Sequence, residues 1–311
     1  MSTYIYMIAA PIAGLLQNIR KILAITWLHR SLSGLLFVAS FSFLFRAILR
    51  LDPLGRTVLL DRAAVPQLMV LAVIQGVAIL FLAAAWSAIA DPHGRLSKKV
   101  LAAIYGKSVL AKYLPGGIVH YGARQWSGGA AGLDHRAMVR ASAIEIGLHV
   151  ACSILIMLTM FGIGYLAMPS WSLAMAALLS FVTIMAGRLS GKRPILAAAC
   201  FQATFFAIFW LVTAGTAWTI TADMQQAVHL ATLFLAGWLI GFVIPFAPGG
   251  IGVREAAIVT LGAGQIDPAT LLSFAILTRL VTLGGDLSHG LASYCALFLT
   301  ALRNRQASIS Q

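Results

Sequence analysis

Charge is scarce in this chain. Asp, Glu, Lys and Arg make up only 10% of its 311 residues, 60% are hydrophobic, and mean hydropathy is +0.91. A soluble domain needs a charged surface, so the composition excludes one and calls for membrane spans. Acids are scarcer still, 9 against 22 Lys and Arg, for a formal charge of +13. In a soluble protein that excess would point to nucleic acid. Here most cations flank apolar runs, where they set topology and meet anionic headgroups, so no nucleic-acid partner is called for. Cysteine is nearly missing. Cys152, Cys200 and Cys295 fall in apolar segments with no CxxC, which excludes a disulfide framework and reads as small buried residues. The seven histidines form no HxxxH or HExxH pair, and no GxSxG or P-loop occurs. No metal, cofactor or catalytic residue is therefore expected. The N-terminus has no basic region before its apolar stretch and does not read as a cleaved signal.

What is present is a succession of apolar runs. They predict an all-α polytopic membrane protein with about eight transmembrane helices and two broken, re-entrant elements, all in a single integral membrane domain over 1–311. Residues 1–30 read as a cytoplasmic or interfacial lead-in and 303–311 as a cytoplasmic tail. Spans are expected at about 31–49, 66–90, 139–168, 171–188, 195–221, 228–245 and 269–301, with a short apolar segment ending at Leu261. AspProHisGly at 91–94 is a turn signal. Arg20, Lys21 and Arg30, Arg95 to Lys99, Arg136 and Arg140, Lys192 and Arg193, and Arg303 and Arg305 all fall on one side of this topology. That side is cytoplasmic by the positive-inside rule, so both termini are placed there. The loop with Arg50, Arg56 and Arg62 runs against the pattern.

Two polar breaks interrupt the apolar runs. Residues 112–124 read KYLPGGIVHYGAR, which sets Lys112, Tyr113, Pro115, Gly116, Gly117, His120, Tyr121 and Arg124 within thirteen positions. Proline removes a backbone donor and the glycines admit bent or left-handed backbone. In lipid such a break is tolerated only when buried in protein or lining a wet cavity. Cations and phenols around it suit an anionic, partly apolar ligand. The same PGGI recurs at 248–251, where Pro248, Gly249, Gly250, Gly252, Arg254 and Glu255 stand together. Each copy is followed within nine residues by an arginine, which reads as a diverged internal repeat. Paired broken helices are a common way to build a transport site.

Two stripes of polar residues lie inside the spans. Ser142, Glu145, His149 and Ser153 share one helical face, as do Arg279, Thr282, Asp286, His289 and Ser293. An ionisable group at the bilayer centre costs about 2.5–3.5 kcal/mol, so both stripes are predicted to face protein or water. They read as a headgroup path with a proton relay through Glu145 and His149, or as glue in which Arg279 pairs with Asp286 or Glu145. Glu255 reads as a neutraliser of Arg254.

The two PGGI signatures resemble those of the lysylphosphatidylglycerol synthase transmembrane, or flippase-like, family, over most of the chain. The resemblance implies lipid translocation between leaflets of a bacterial inner membrane, with aminoacylated phospholipids or polyprenyl-phosphate sugars as substrate classes. No stretch of these residues can house the soluble aminoacyltransferase domain of longer members, so lipid aminoacylation is not implied. The expected function is a flippase for an anionic, phosphate-bearing lipid, foremost a polyprenyl-phosphate sugar. Arg124, Arg254 and Lys112 would neutralise the phosphate, and Tyr113 and Tyr121 would pack on sugar or lipid neck. A membrane enzyme using His120 as base is the rival from another class, and a partner that scaffolds a glycosyltransferase is the third reading.

Overall fold

A computed structural model describes residues 61–309, less 62, 115–118, most of 166–191, 245–247 and 251. The described residues are helical, with no strand among them. The helices are α1 (Ala64–Ala90), α2 (Lys98–Leu110), α3 (Val119–Ala130), α4 (His135–Tyr165), α5 (Pro194–Thr221), α6 (Met224–Val243), α7 (Val253–Gly262) and α8 (Pro268–Ile309), with short 3-10 turns at Ala111–Tyr113 and Pro248–Gly250. The chain is an all-α polytopic membrane protein. Five of these helices, α1, α4, α5, α6 and the first 29 residues of α8, are long and apolar enough to cross a bilayer. The spans expected at 31–49 and 171–188 lie outside the described residues, apart from a few positions in the second.

The helix starts are written in the sequence. Asp223 accepts from the Gln225 N–H at 2.9 Å ahead of α6, Asp267 from Thr270 at 3.0 Å ahead of α8, and Asp134 from Ala137 at 2.8 Å ahead of α4. Each satisfies a donor that the helix itself cannot. Pro194 and Pro268 open α5 and α8, where a missing N–H costs nothing. The turn at 91–94 forms as expected: Asp91 takes the N–H groups of Arg95 and Leu96 at 3.0 and 2.8 Å. One boundary differs. Helix α8 runs through Arg303 and Arg305 to Ile309, where a tail was expected from residue 303.

The helices flanking the first break do not span. Helices α2 and α3 have 13 and 12 residues, about 20 Å each at 1.5 Å per residue, against a hydrocarbon core of about 30 Å. They pack on each other, and α2 lies against α1 and α8. The second break behaves likewise: α6 ends at Val243, and the ten-residue α7 packs on α6 and α8. Both broken elements are thus held by the spanning helices.

Small residues allow that close packing. A Cβ on Gly106 of α2 would come within 1.9 Å of Ser293 Oγ and 2.7 Å of His289 Nε2 on α8. Gly147 of α4 has open space instead. Gly106→Ala is therefore expected to destabilise the protein in detergent by about 1–3 kcal/mol, the usual cost of overpacking. Gly147→Ala should leave the melting temperature unchanged or raise it, since alanine is worth roughly 0.5–1 kcal/mol over glycine in a helix. Equal melting of the two variants would contradict the α2–α8 contact.

Candidate functional site

The flanks of both breaks line one cavity of about 450 Å³. Lys112, Tyr113, His120, Tyr121 and Arg124 reach it from the first, and Gly249, Gly250 and Arg254 from the second. Glu145 of α4 and Arg279 and Asp286 of α8 complete its polar wall. Pro115, Gly116 and Gly117 lie outside the described residues. Pro248 begins the 3-10 turn, and Gly252 precedes α7. The two turns touch: a Cβ on Gly249 would stand 3.2 Å from the Tyr113 ring and 3.3 Å from Arg279 Nη2. Gly249, Gly250 and Gly252 have φ of 58°, 70° and 84°, a region that side chains disfavour, so this turn requires its glycines.

Both polar stripes are buried, as their spacing predicts. Glu145, Arg279 and Asp286 find partners on other elements, whereas His149, Ser153, Thr282 and Ser293 meet backbone carbonyls of their own helices, and two expected pairings are corrected. Glu145 is held by Arg124, whose Nη1 donates to Oε2 at 2.5 Å, and by the Tyr105 hydroxyl, which donates to Oε1 at 2.6 Å. His149 meets the Glu145 backbone carbonyl at 2.8 Å, not its carboxylate, so the direct Glu145–His149 relay is not formed. Arg279 pairs with neither Asp286 nor Glu145; its nearest acid is Glu255, with Nε to Oε1 at 4.0 Å. Glu255 offsets the Arg254 charge, as expected, and has a second role. Its Oε2 accepts from the Gly252 N–H at 2.6 Å and so caps α7. Asp286 binds Lys112 Nζ at 2.6 Å and accepts from the Tyr113 hydroxyl.

The four cations are not equivalent. Arg124 is 2% exposed and held by a carboxylate: besides Glu145, it donates to Ser108 Oγ at 3.3 Å and stacks on the Tyr105 ring at 4.0 Å. Arg254 and Arg279, 8% and 3% exposed, instead converge on a single carbonyl. Both donate to Gly249 O, at 3.4 and 3.0 Å. Among the described residues, Arg254 Nε and Arg279 Nε and Nη2 have no hydrogen-bond acceptor. Burial first, and then the Arg279 charge, draw the Arg254 guanidinium from the usual arginine range down to about 10, so it stays cationic at neutral pH. Two buried guanidiniums facing one neutral oxygen are an arrangement that an anion would relieve.

Aromatic side chains form the apolar wall. Trp238 and Phe242 lie 5.0 Å apart between centroids at 11°, and His149 stacks on Phe242 at 5.4 Å and 15°. Trp238, Phe242 and Tyr105 were not singled out from the sequence. In an apolar helix an aromatic reads as core or interface, and only the neighbouring helices reveal what it faces. Cys295 is another difference: it is exposed, while Cys152 is buried and Cys200 half-buried. Among the described residues, no three His, Cys, Asp or Glu side chains converge to hold a metal.

Comparison with known proteins brings no relative: no protein-family model, curated protein or solved structure matches the chain.

Proposed function

We propose that this protein moves a lipid with an anionic, phosphate-bearing headgroup between the leaflets of a bacterial inner membrane. The supporting observation is the single cavity on which residues flanking both breaks meet, with two buried arginines sharing one carbonyl. Such a cavity offers a headgroup polar partners inside a membrane-embedded bundle, while the acyl or isoprenoid tail stays in lipid. Arg254 and Arg279 are the anion donors, with Lys112 beside them. Arg124 positions Glu145 and Tyr105 and does not itself bind the phosphate. The flippase-like resemblance points the same way, and a cytoplasmic side for both termini gives the cavity access to a lipid made there. A glycosyltransferase that makes or uses the lipid is the partner this reading favours.

Purified protein in unilamellar liposomes with a fluorescent phosphate-bearing lipid tests the reading. A membrane-impermeant quencher should consume signal beyond the outer leaflet's share. Quenching that stops where protein-free vesicles stop would contradict translocation. Chemical turnover of the headgroup would favour the enzyme reading.

A further inference from the structure

We propose that Gln75 of α1 is a specificity-determining residue of this cavity, its amide meeting an uncharged hydroxyl of the headgroup while Arg254 and Arg279 hold the phosphate. This rests on the translocation reading and adds to it a recognition point that lies on neither break.

The first argument is an unmet polar group. Gln75 stands near the middle of the spanning helix α1, is 3% exposed and lines the cavity. Among the described residues its Oε1 has no hydrogen-bond partner. A buried amide without a partner is costly, and inside a membrane span no bulk water relieves it. Ser142, Gln202, Ser273 and Thr278 also have an unpartnered buried oxygen, but none of these four lines the cavity. Gln75 is where a ligand can supply what the fold does not.

The second argument is placement. Gly76 and Gly285 bring α1 and α8 close together. A Cβ on Gly285 would stand 2.8 Å from both Cβ and Cγ of Gln75, and one on Gly76 would stand 2.6 Å from Ser288 Oγ. The stem of Gln75 is thus fixed against α8. Within one turn of Gly285, Thr282 and Asp286 line the same cavity. Arg279 lies six residues before Gly285, about 9 Å along the helix at 1.5 Å per residue. One short headgroup can therefore reach both, with its hydroxyl several ångströms from its phosphorus.

The third argument is chemical type. The carboxylates that line the cavity are already held, Glu145 by Arg124 and the Tyr105 hydroxyl, Asp286 by Lys112 and the Tyr113 hydroxyl. Gln75 is neutral and carries both an acceptor oxygen and an NH2 donor. A hydroxyl also gives and takes a hydrogen bond, so it matches this amide without bringing in a charge. A site built to bond a hydroxyl discriminates against the analogue that lacks one, because its own polar group is then left unpaired.

The test compares phosphatidylglycerol with phosphatidylpropanol, two phosphodiester lipids of equal charge that differ in the hydroxyls of the headgroup. Binding to the intact protein is read in detergent by competition with the fluorescent phosphate-bearing lipid, and movement by the liposome assay. Phosphatidylglycerol should bind roughly fivefold tighter or more, the net worth of one neutral hydrogen bond. Gln75→Leu should abolish the difference by weakening phosphatidylglycerol alone. It should melt no lower than the unaltered protein, since it removes a buried unpaired amide. Equal binding of the two lipids by the unaltered protein would overturn the proposal and leave Gln75 facing water. So would binding of neither lipid, or a preference that survives in Gln75→Leu. A lower melting temperature with both lipids weakened alike would mark Gln75 as packing and also overturn it. If the preference holds but nothing crosses the bilayer, the Gln75 assignment stands and translocation falls. If both lipids bind and cross alike, translocation stands and the assignment falls.

Discussion

Arg254→Gln is expected to lower lipid transport roughly tenfold to a hundredfold while the protein still inserts and melts near its normal temperature. The magnitude follows from a charge-assisted hydrogen bond to the anion, worth about 1.5–3 kcal/mol. The intact fold follows from how little holds this side chain. Its one described hydrogen bond is long, 3.4 Å to Gly249 O, and its charged neighbour Arg279 repels it. Removing the charge relieves that repulsion. Arg254→Lys should recover part of the activity, because a point charge cannot reproduce two parallel N–H donors. Transport rates and melting curves measured on the same preparations check both halves. Transport equal to the unaltered protein would remove Arg254 from the site.

Arg124→Gln should do the opposite. Arg124 also follows a PGGI, yet its guanidinium is closed in by Glu145 at 2.5 Å, both side chains being 3% exposed or less. Deleting one partner of a buried ion pair leaves the other charge uncompensated, at a cost of about 3–5 kcal/mol. Loss of folded protein, visible as a lower melting temperature or poor recovery, is the expected phenotype. Replacing both members, Arg124→Met with Glu145→Gln, removes the stranded charge and should restore much of the stability. A double variant no more stable than Arg124→Gln would show that the pair is not what holds α3 to α4.

These two arginines mark where the sequence stops being legible. The class of fold follows from the apolar runs, and the burial of Glu145, Arg279 and Asp286 follows from their three- and four-residue spacing, because lipid does not tolerate exposed charge. Which acid meets which base does not follow. Glu145 and His149 stand one turn apart on α4, but the carboxylate turns to Arg124 on α3 and Tyr105 on α2. Arg279 and Asp286 share a face of α8, yet Asp286 turns to Lys112 and Arg279 to the second break. Those choices depend on which helices pack side by side, and a single chain read in order carries no direct record of that. The glycines were legible as a break. That three of them adopt positive φ, and that one abuts the Tyr113 ring, required the packed turns.

The central claim is that residues from both breaks act on one bound anion. A double-mutant cycle on Lys112→Gln and Arg254→Gln tests it, with affinity for the fluorescent phosphate-bearing lipid as the readout. The two positions lie on separate breaks but line one cavity. A shared anion predicts a coupling of about 0.5–3 kcal/mol, so that the double variant loses clearly less or more than the sum of the singles. Losses that simply add would mean that the two breaks serve independent sites.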